Sequence, residues 1–140
     1  MDKKDKELLL KDLCARLLYK VMVNYNGLAR PLFNISPTQH FQITLDNALD
    51  GEHNGLVYVS LNVDGEKPKP YLRPMSSMTD EERKEYELLA NHCIVTSIGF
   101  IHLEAAPLTD WLNAYHFDYR GLIPMGLAIA VTKENNPYKE

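Results

Sequence analysis

Leu56-Val57-Tyr58-Val59-Ser60-Leu61-Asn62-Val63 is the stretch that decides the fold. Val57, Val59 and Leu61 fall on one face and Tyr58, Ser60 and Asn62 on the other, the period-two alternation of a strand with one side buried. Before it, His40, Gln42 and Thr44 alternate with Phe41, Ile43 and Leu45, which predicts a second half-buried strand. The intervening Asp46–Gly55 holds Asp-Gly and Asn-Gly pairs and reads as an exposed loop. Further back, Val21, Val23 and Tyr25 alternate with Met22 and Asn24. Asn26-Gly27 then supplies a two-residue hairpin turn, since both residues tolerate positive φ, and Leu28–Ile35 forms the returning strand. Pro31 denies that strand one ladder donor and belongs at a sheet edge or a bulge. The result is an antiparallel meander of three or four strands, closed by Asp64-Gly65.

Helical periodicity flanks the meander. Leu10, Leu13, Cys14, Leu17 and Leu18 recur at spacings of three and four within Lys6–Lys20. Leu8 and Leu9 widen this stripe, so the helix is expected to pack on the sheet, with Lys11, Asp12 and Arg16 on its other side. After the meander, three prolines within Lys67–Pro74 predict a stiff extended segment that is neither helix nor regular sheet. Thr79 and Glu82 match a capping box at the start of a helix over Asp80–Cys93, with Tyr86, Leu89, Ala90 and Cys93 inward and Glu81, Glu82 and Glu85 on its solvated face. Ile94–Leu103 is β-branched and aromatic and reads as a strand ended by Pro107. Thr109 can cap a short helix through Tyr115. His116–Gly121 reads as a turn, Leu122–Val131 as a bent strand or buried irregular segment, and Thr132–Glu140 as a polar, frayed tail. The expected fold is α+β: an antiparallel sheet of four to five strands, packed by an N-terminal and a middle helix, with a short C-terminal helix. No repeat or linker divides residues 1–140, which implies one domain.

At 140 residues the chain can bury a sizeable core without staples. Its net charge of −4 argues against non-specific nucleic-acid binding, which requires clustered Lys and Arg. Cys14 and Cys93 read as two buried thiols, with a disulfide left open. The sequence shows no signal-peptide core and no apolar run of the ~20 residues needed to span a bilayer, so a cytoplasmic location is expected.

The five histidines, His40, His53, His92, His102 and His116, lack the spacing of a metal site. There is no Gly-x-Ser-x-Gly elbow and no phosphate loop. The chemistry concentrates in two segments. One is Tyr71–Ser77, with Tyr71, Arg73, Ser76 and Ser77, the serines lying just before a helix N-terminus. The other is Trp111–Gly121, with Trp111, Tyr115, His116, Phe117, Asp118, Tyr119 and Arg120. Trp, Tyr and Arg are enriched at binding hot spots, and an arginine forks to a phosphate or carboxylate. Against this stands the reading that the aromatics plug the core and that Asp118 or a helix-end carbonyl satisfies an arginine.

Three passages carry a resemblance. They are Lys69-Pro-Tyr-Leu-Arg-Pro-Met-Ser-Ser-Met-Thr79 ahead of an acidic helix, Asp110-Trp-Leu-Asn-Ala-Tyr-His-Phe-Asp-Tyr-Arg-Gly-Leu-Ile123 ahead of Gly126-Leu-Ala, and the opening Leu9-Leu-Lys-Asp-Leu-Cys-Ala-Arg16. They resemble a family of small proteins of gut Bacteroides-type bacteria and their phages, over about half the chain. The resemblance implies a phage or mobile-element setting and brings no catalytic residue with it.

Three readings follow. The first is a non-enzymatic interaction protein acting on a host protein. The second is a binder of a small anionic ligand such as a nucleotide, using Arg73, Arg120 and the Ser76-Ser77 helix start. The third is a small hydrolase-like enzyme using His116 and Asp118, which requires both side chains in one cleft. None calls for a cofactor.

Overall fold

The computed structural model describes residues 2–36, 42–46, 56–62, 65–95 and 101–138, with backbone alone for 92–95 and 101–106. The expectations for His40 and Phe41, for most of the Asp46–Gly55 loop, for Val63 and Asp64, and for the side chains of His92, Cys93 and His102 lie outside these residues.

The fold is α+β. Helix α1 (Lys3–Arg16) starts three residues before the expected boundary, because the Asp2 carboxylate accepts from the Asp5 amide at 2.8 Å and caps it. A 3-10 turn, Leu17–Tyr19, follows, and Lys20, at φ 57°, turns the chain back toward the sheet. Strands β1 (Met22–Tyr25) and β2 (Leu28–Ser36) form the expected hairpin, with Asn26 at φ 55° and Gly27 at φ 80°. β3 (Gln42–Asp46) and β4 (Leu56–Ser60) complete the meander. Pro31 sits beside the register shift between Leu32 and Asn34, in an interior strand, so bulge rather than edge accommodates it.

Six strands, not four or five, share the sheet, in the order β4-β3-β2-β1-β5-β6. One additional strand comes from the segment the prolines had disqualified, and the other from the segment read as a bent strand or buried irregular stretch. β5 (Lys69–Leu72) pairs antiparallel with β1, Pro70 opposite Val23, and β6 (Ile129–Ala130) pairs parallel with β5. The proline rule fails here because the ladder is short and fixed by its neighbours.

The other corrections concern helices. Helix α2 runs Asp80–Val95 and α3 runs Ile101–Ala114. The described parts of the expected Ile94–Leu103 strand are therefore helical, and Pro107 lies inside α3 instead of ending a strand. β-branched composition is a weak guide when the local pattern can also be helical.

The main core gathers Leu9, Leu10 and Leu13 of α1 against Val23, Leu32, Ile43, Leu45, Val59 and Leu72 of the strands, with Leu122, Leu127 and Ala128 closing one end. Each fully buried leucine contributes roughly 1.5–3 kcal/mol. The stripe of α1 is rotated from the sequence expectation. Leu18 is 90% exposed and Cys14 is exposed, whereas Asp12 and Arg16 are fully buried. The two charged residues enter the core because they neutralise each other one helical turn apart. No helix among the described residues is long and apolar enough to cross a membrane.

Candidate functional site

Arg73 joins the two segments singled out in the sequence. It forms a bridge with Phe117: the Arg73 amide donates to the His116 carbonyl at 2.7 Å, and the Asp118 amide donates to the Arg73 carbonyl at 2.9 Å. The Arg73 guanidinium lies 4.3 Å from the Phe117 ring centroid and forks onto Glu82, at 2.8 and 2.7 Å. Glu82 thereby does two jobs. It also accepts from the Thr79 amide, while the Glu82 amide donates to Thr79 Oγ1, completing the capping box. The hydrogen bond from Arg73 holds the Glu82 carboxyl below the usual carboxylate range.

The end of α3 presents the second segment. The amides of His116 and Phe117 return to the carbonyls of Asn113 and Leu112, and His116 takes a left-handed φ of 63°. This is a Schellman closure with histidine where glycine is commonest. Asp118 follows, and its carboxylate accepts from the Leu122 and Ile123 amides, opening the next turn. Trp111 packs in a row with Tyr115 and Phe117, at 4.9 and 5.6 Å between centroids, with Tyr86 of α2 at 6.3 Å. Its indole N–H donates to Glu85. Both Glu82 and Glu85, expected on a solvated face, are thus engaged by the candidate residues.

Arg120 is held by different partners from Arg73. It donates to Asp12 and to the Tyr119 hydroxyl, each at 2.9 Å, and Tyr119 donates to Asn113. Asp12 holds Arg16 on its other oxygen at 2.8 Å, and Arg16 reaches the Phe117 carbonyl at 2.6 Å. The guanidinium carbons of Arg16 and Arg120 lie 5.1 and 4.6 Å from the Tyr119 ring centroid. Asp12 is therefore the counter-ion of two arginines, where the sequence reading offered Asp118 or a helix-end carbonyl to satisfy an arginine.

Tyr71 is buried; its hydroxyl accepts from Asn24 and its carbonyl accepts from the Tyr138 hydroxyl at 2.7 Å. Tyr138 also accepts from the Met22 amide at 3.0 Å and stacks on His116, 3.7 Å between centroids and 10° from parallel. The tail expected to fray is pinned at this point. Burial first, then the charges of Arg16 and Arg73, hold His116 down to about 4. Ser76 and Ser77 are exposed; Ser77 donates to the Pro74 carbonyl within a 3-10 turn, Met75–Ser77.

Arg73 and Ser77 line an open cleft of about 330 Å³ with Val131, Thr132, Lys133 and Asn136. Arg120 is not among the residues lining it, so the two candidate arginines do not converge on this space. His116 and Asp118 are likewise occupied separately, one by Tyr138 and the other by backbone amides. Among the described residues, no group of three or more His, Cys, Asp or Glu side chains is placed to hold a metal ion.

Sequence reasoning missed Asp12, Arg16, Glu82 and Tyr138 as members of this region. The i, i+4 spacing of Asp12 and Arg16 was the available signal for one pair. A tyrosine standing in an otherwise polar tail was the only signal for Tyr138. No family model, curated protein or solved structure matches the chain.

Proposed function

We propose that the protein is a non-enzymatic binding domain that engages another protein through the surface where its two aromatic–arginine segments meet. The phage or mobile-element setting implied by the resemblance makes a host protein, in the host cytoplasm, the partner of choice. One observation carries the reading: the arginines of this region are paired from within while its aromatic edge meets solvent. Arg73 is held by Glu82, and Arg16 and Arg120 by Asp12. Tyr115, stacked on Trp111, remains 39% exposed. An exposed tyrosine stacked on a tryptophan, beside arginines already paired within the protein, suits a protein partner, where a few aromatic side chains carry most of the affinity.

The anion-binding reading retains one support, the cleft shared by Arg73, Ser77 and Lys133. A phosphate there would have to displace Glu82 from Arg73. The hydrolase-like reading finds no support in the placement of His116 and Asp118.

The test compares capture of partners from natural-host lysate by the wild-type protein and by Tyr115→Ala, with native mass spectrometry of what is retained. A stoichiometric protein held by the wild type and lost from a normally folded Tyr115→Ala supports the reading. Equal retention by both sinks it, and a small anion whose retention depends on Arg73 replaces it with the second reading.

A further inference from the structure

Among the described residues, the segment after β6 is hydrogen-bonded to strands β1 and β5 through a single side chain. Val131 still continues the sheet, its amide donating to the Leu72 carbonyl. From Thr132 on, hydrogen bonds turn inward: Thr132 and Asn135 bond each other, Asn135 reaches back to the Ala130 carbonyl, and the Tyr138 amide donates to Asn136. Among the described residues, the hydrogen bonds from 132–138 to strands β1 and β5 both pass through the Tyr138 hydroxyl. That hydroxyl bridges the Met22 amide and the Tyr71 carbonyl, where the β1–β5 ladder has ended after Val23↔Pro70. One oxygen thus replaces the next rung of the ladder.

The underside of this latch is His116. Its Nδ1 is buried and has no partner within the protein. The charged and titratable groups that face the pair come from every neighbouring element: Arg16 and Asp12 from α1, Arg73 and Tyr71 from the β5 side, and Tyr138 itself. Asp12 is the one carboxylate among them, and both of its oxygens already serve Arg16 and Arg120. A proton added to His116 beneath Tyr138 therefore meets two arginines and no free counter-ion. With the latch open, the imidazolium can be hydrated.

We propose that residues 132–138 are a strap, closed by Tyr138 on His116, that lets go when His116 takes up a proton and so uncovers the face carrying Tyr71, Arg73 and His116. Val131, Thr132, Lys133 and Asn136 form one wall of the Arg73 cleft, so the same movement opens that cleft. The strap does not depend on the protein-binding reading above; it governs access to one side of the same region whatever binds there. The direction follows from linkage: the open form binds the proton more tightly, so acid favours it. Between the ordinary histidine value of 6.5 and about 4, the closed-to-open ratio falls by up to about tenfold per pH unit.

The experiment is hydrogen exchange of the full chain by mass spectrometry from pH 7.5 to 4, corrected for intrinsic rates, comparing peptides over 131–138 with peptides over β3. The strap should lose protection as pH falls toward 4 while β3 keeps it. His116→Asn, which stays neutral and suits the left-handed backbone at this position, should flatten that response. Tyr138→Phe should leave the strap open at pH 7.5 with β3 still protected. Loss of strap and β3 protection in step, or an undiminished acid response in His116→Asn, overturns the proposal.

Discussion

Asp12 and Arg120 stand 108 positions apart in the chain and meet at 2.9 Å, with Asp12 fully buried. That contact ties the first helix to the turn after α3, and Arg16 strengthens it from the other carboxylate oxygen. Removing Asp12 strands a fully buried guanidinium. Asp12→Ala should therefore cost about 3–5 kcal/mol in denaturant unfolding. Arg120→Ala leaves Asp12 its bond to Arg16 and should cost about 1–3 kcal/mol. Equal costs would show that Arg16 does not share the carboxylate.

Thr79 and Glu82 allow a cleaner local measurement. Thr79→Ala removes one hydrogen bond of the capping box and leaves the Arg73–Glu82 fork in place, so it should cost about 1 kcal/mol. Glu82→Gln can keep both capping bonds and removes the charge of the Arg73 fork, so its cost reads the ion pair separately. If Glu82→Gln unfolds at the wild-type denaturant midpoint, the fork's charge contributes nothing to stability.

At the hairpin, Gly27 sits at φ 80° with open space where a Cβ would project. Any cost of Gly27→Ala is therefore backbone strain alone, about 1–2 kcal/mol. Asn26→Gly should be nearly neutral by the same argument. Thermal unfolding of the two variants side by side checks both.

Acid should weaken the fold in two stages. His116 is held down to about 4 in the folded chain, so the folded form binds fewer protons than the unfolded one, and stability falls as pH drops from about 6.5 toward 4. Allowing for solvent screening around a partly exposed ring, the loss is on the order of 2 kcal/mol. Glu82, whose carboxyl is lowered by Arg73, contributes above the ordinary carboxylate range and loses that contribution as pH falls below it. Urea midpoints against pH should therefore show an upper stage that vanishes in His116→Asn and a lower stage that persists.

The meander was legible because alternation, an Asn-Gly turn and β-branched residues all agreed over Val21–Leu61. The first helix was legible in existence but not in orientation. Asp12 and Arg16 look like a solvated face until their mutual neutralisation, and Arg120 from far along the chain, are known. Pro70 misled because a proline disfavours a strand only where its missing donor is needed. The two binding segments were legible as composition, since Trp, Tyr and Arg clustered there. Their meeting at Arg73 and Phe117 was not, because a bridge between positions 73 and 117 is set by tertiary packing.

That bridge has an architectural consequence. The chain leaves the sheet after Arg73 and meets it again at Phe117, so α2 and α3 belong to one excursion closed by a two-hydrogen-bond bridge, with Glu82 and Asn113 bonding to Arg73 and Tyr119 just outside it. Among the described residues, the main core contains no side chain from either helix. The helical pair is thus a module grafted onto a sheet whose register is set without it. Such an excursion can change in length or sequence without altering the strand register, at the cost of the bonds that Glu82 and Asn113 make to Arg73 and Tyr119.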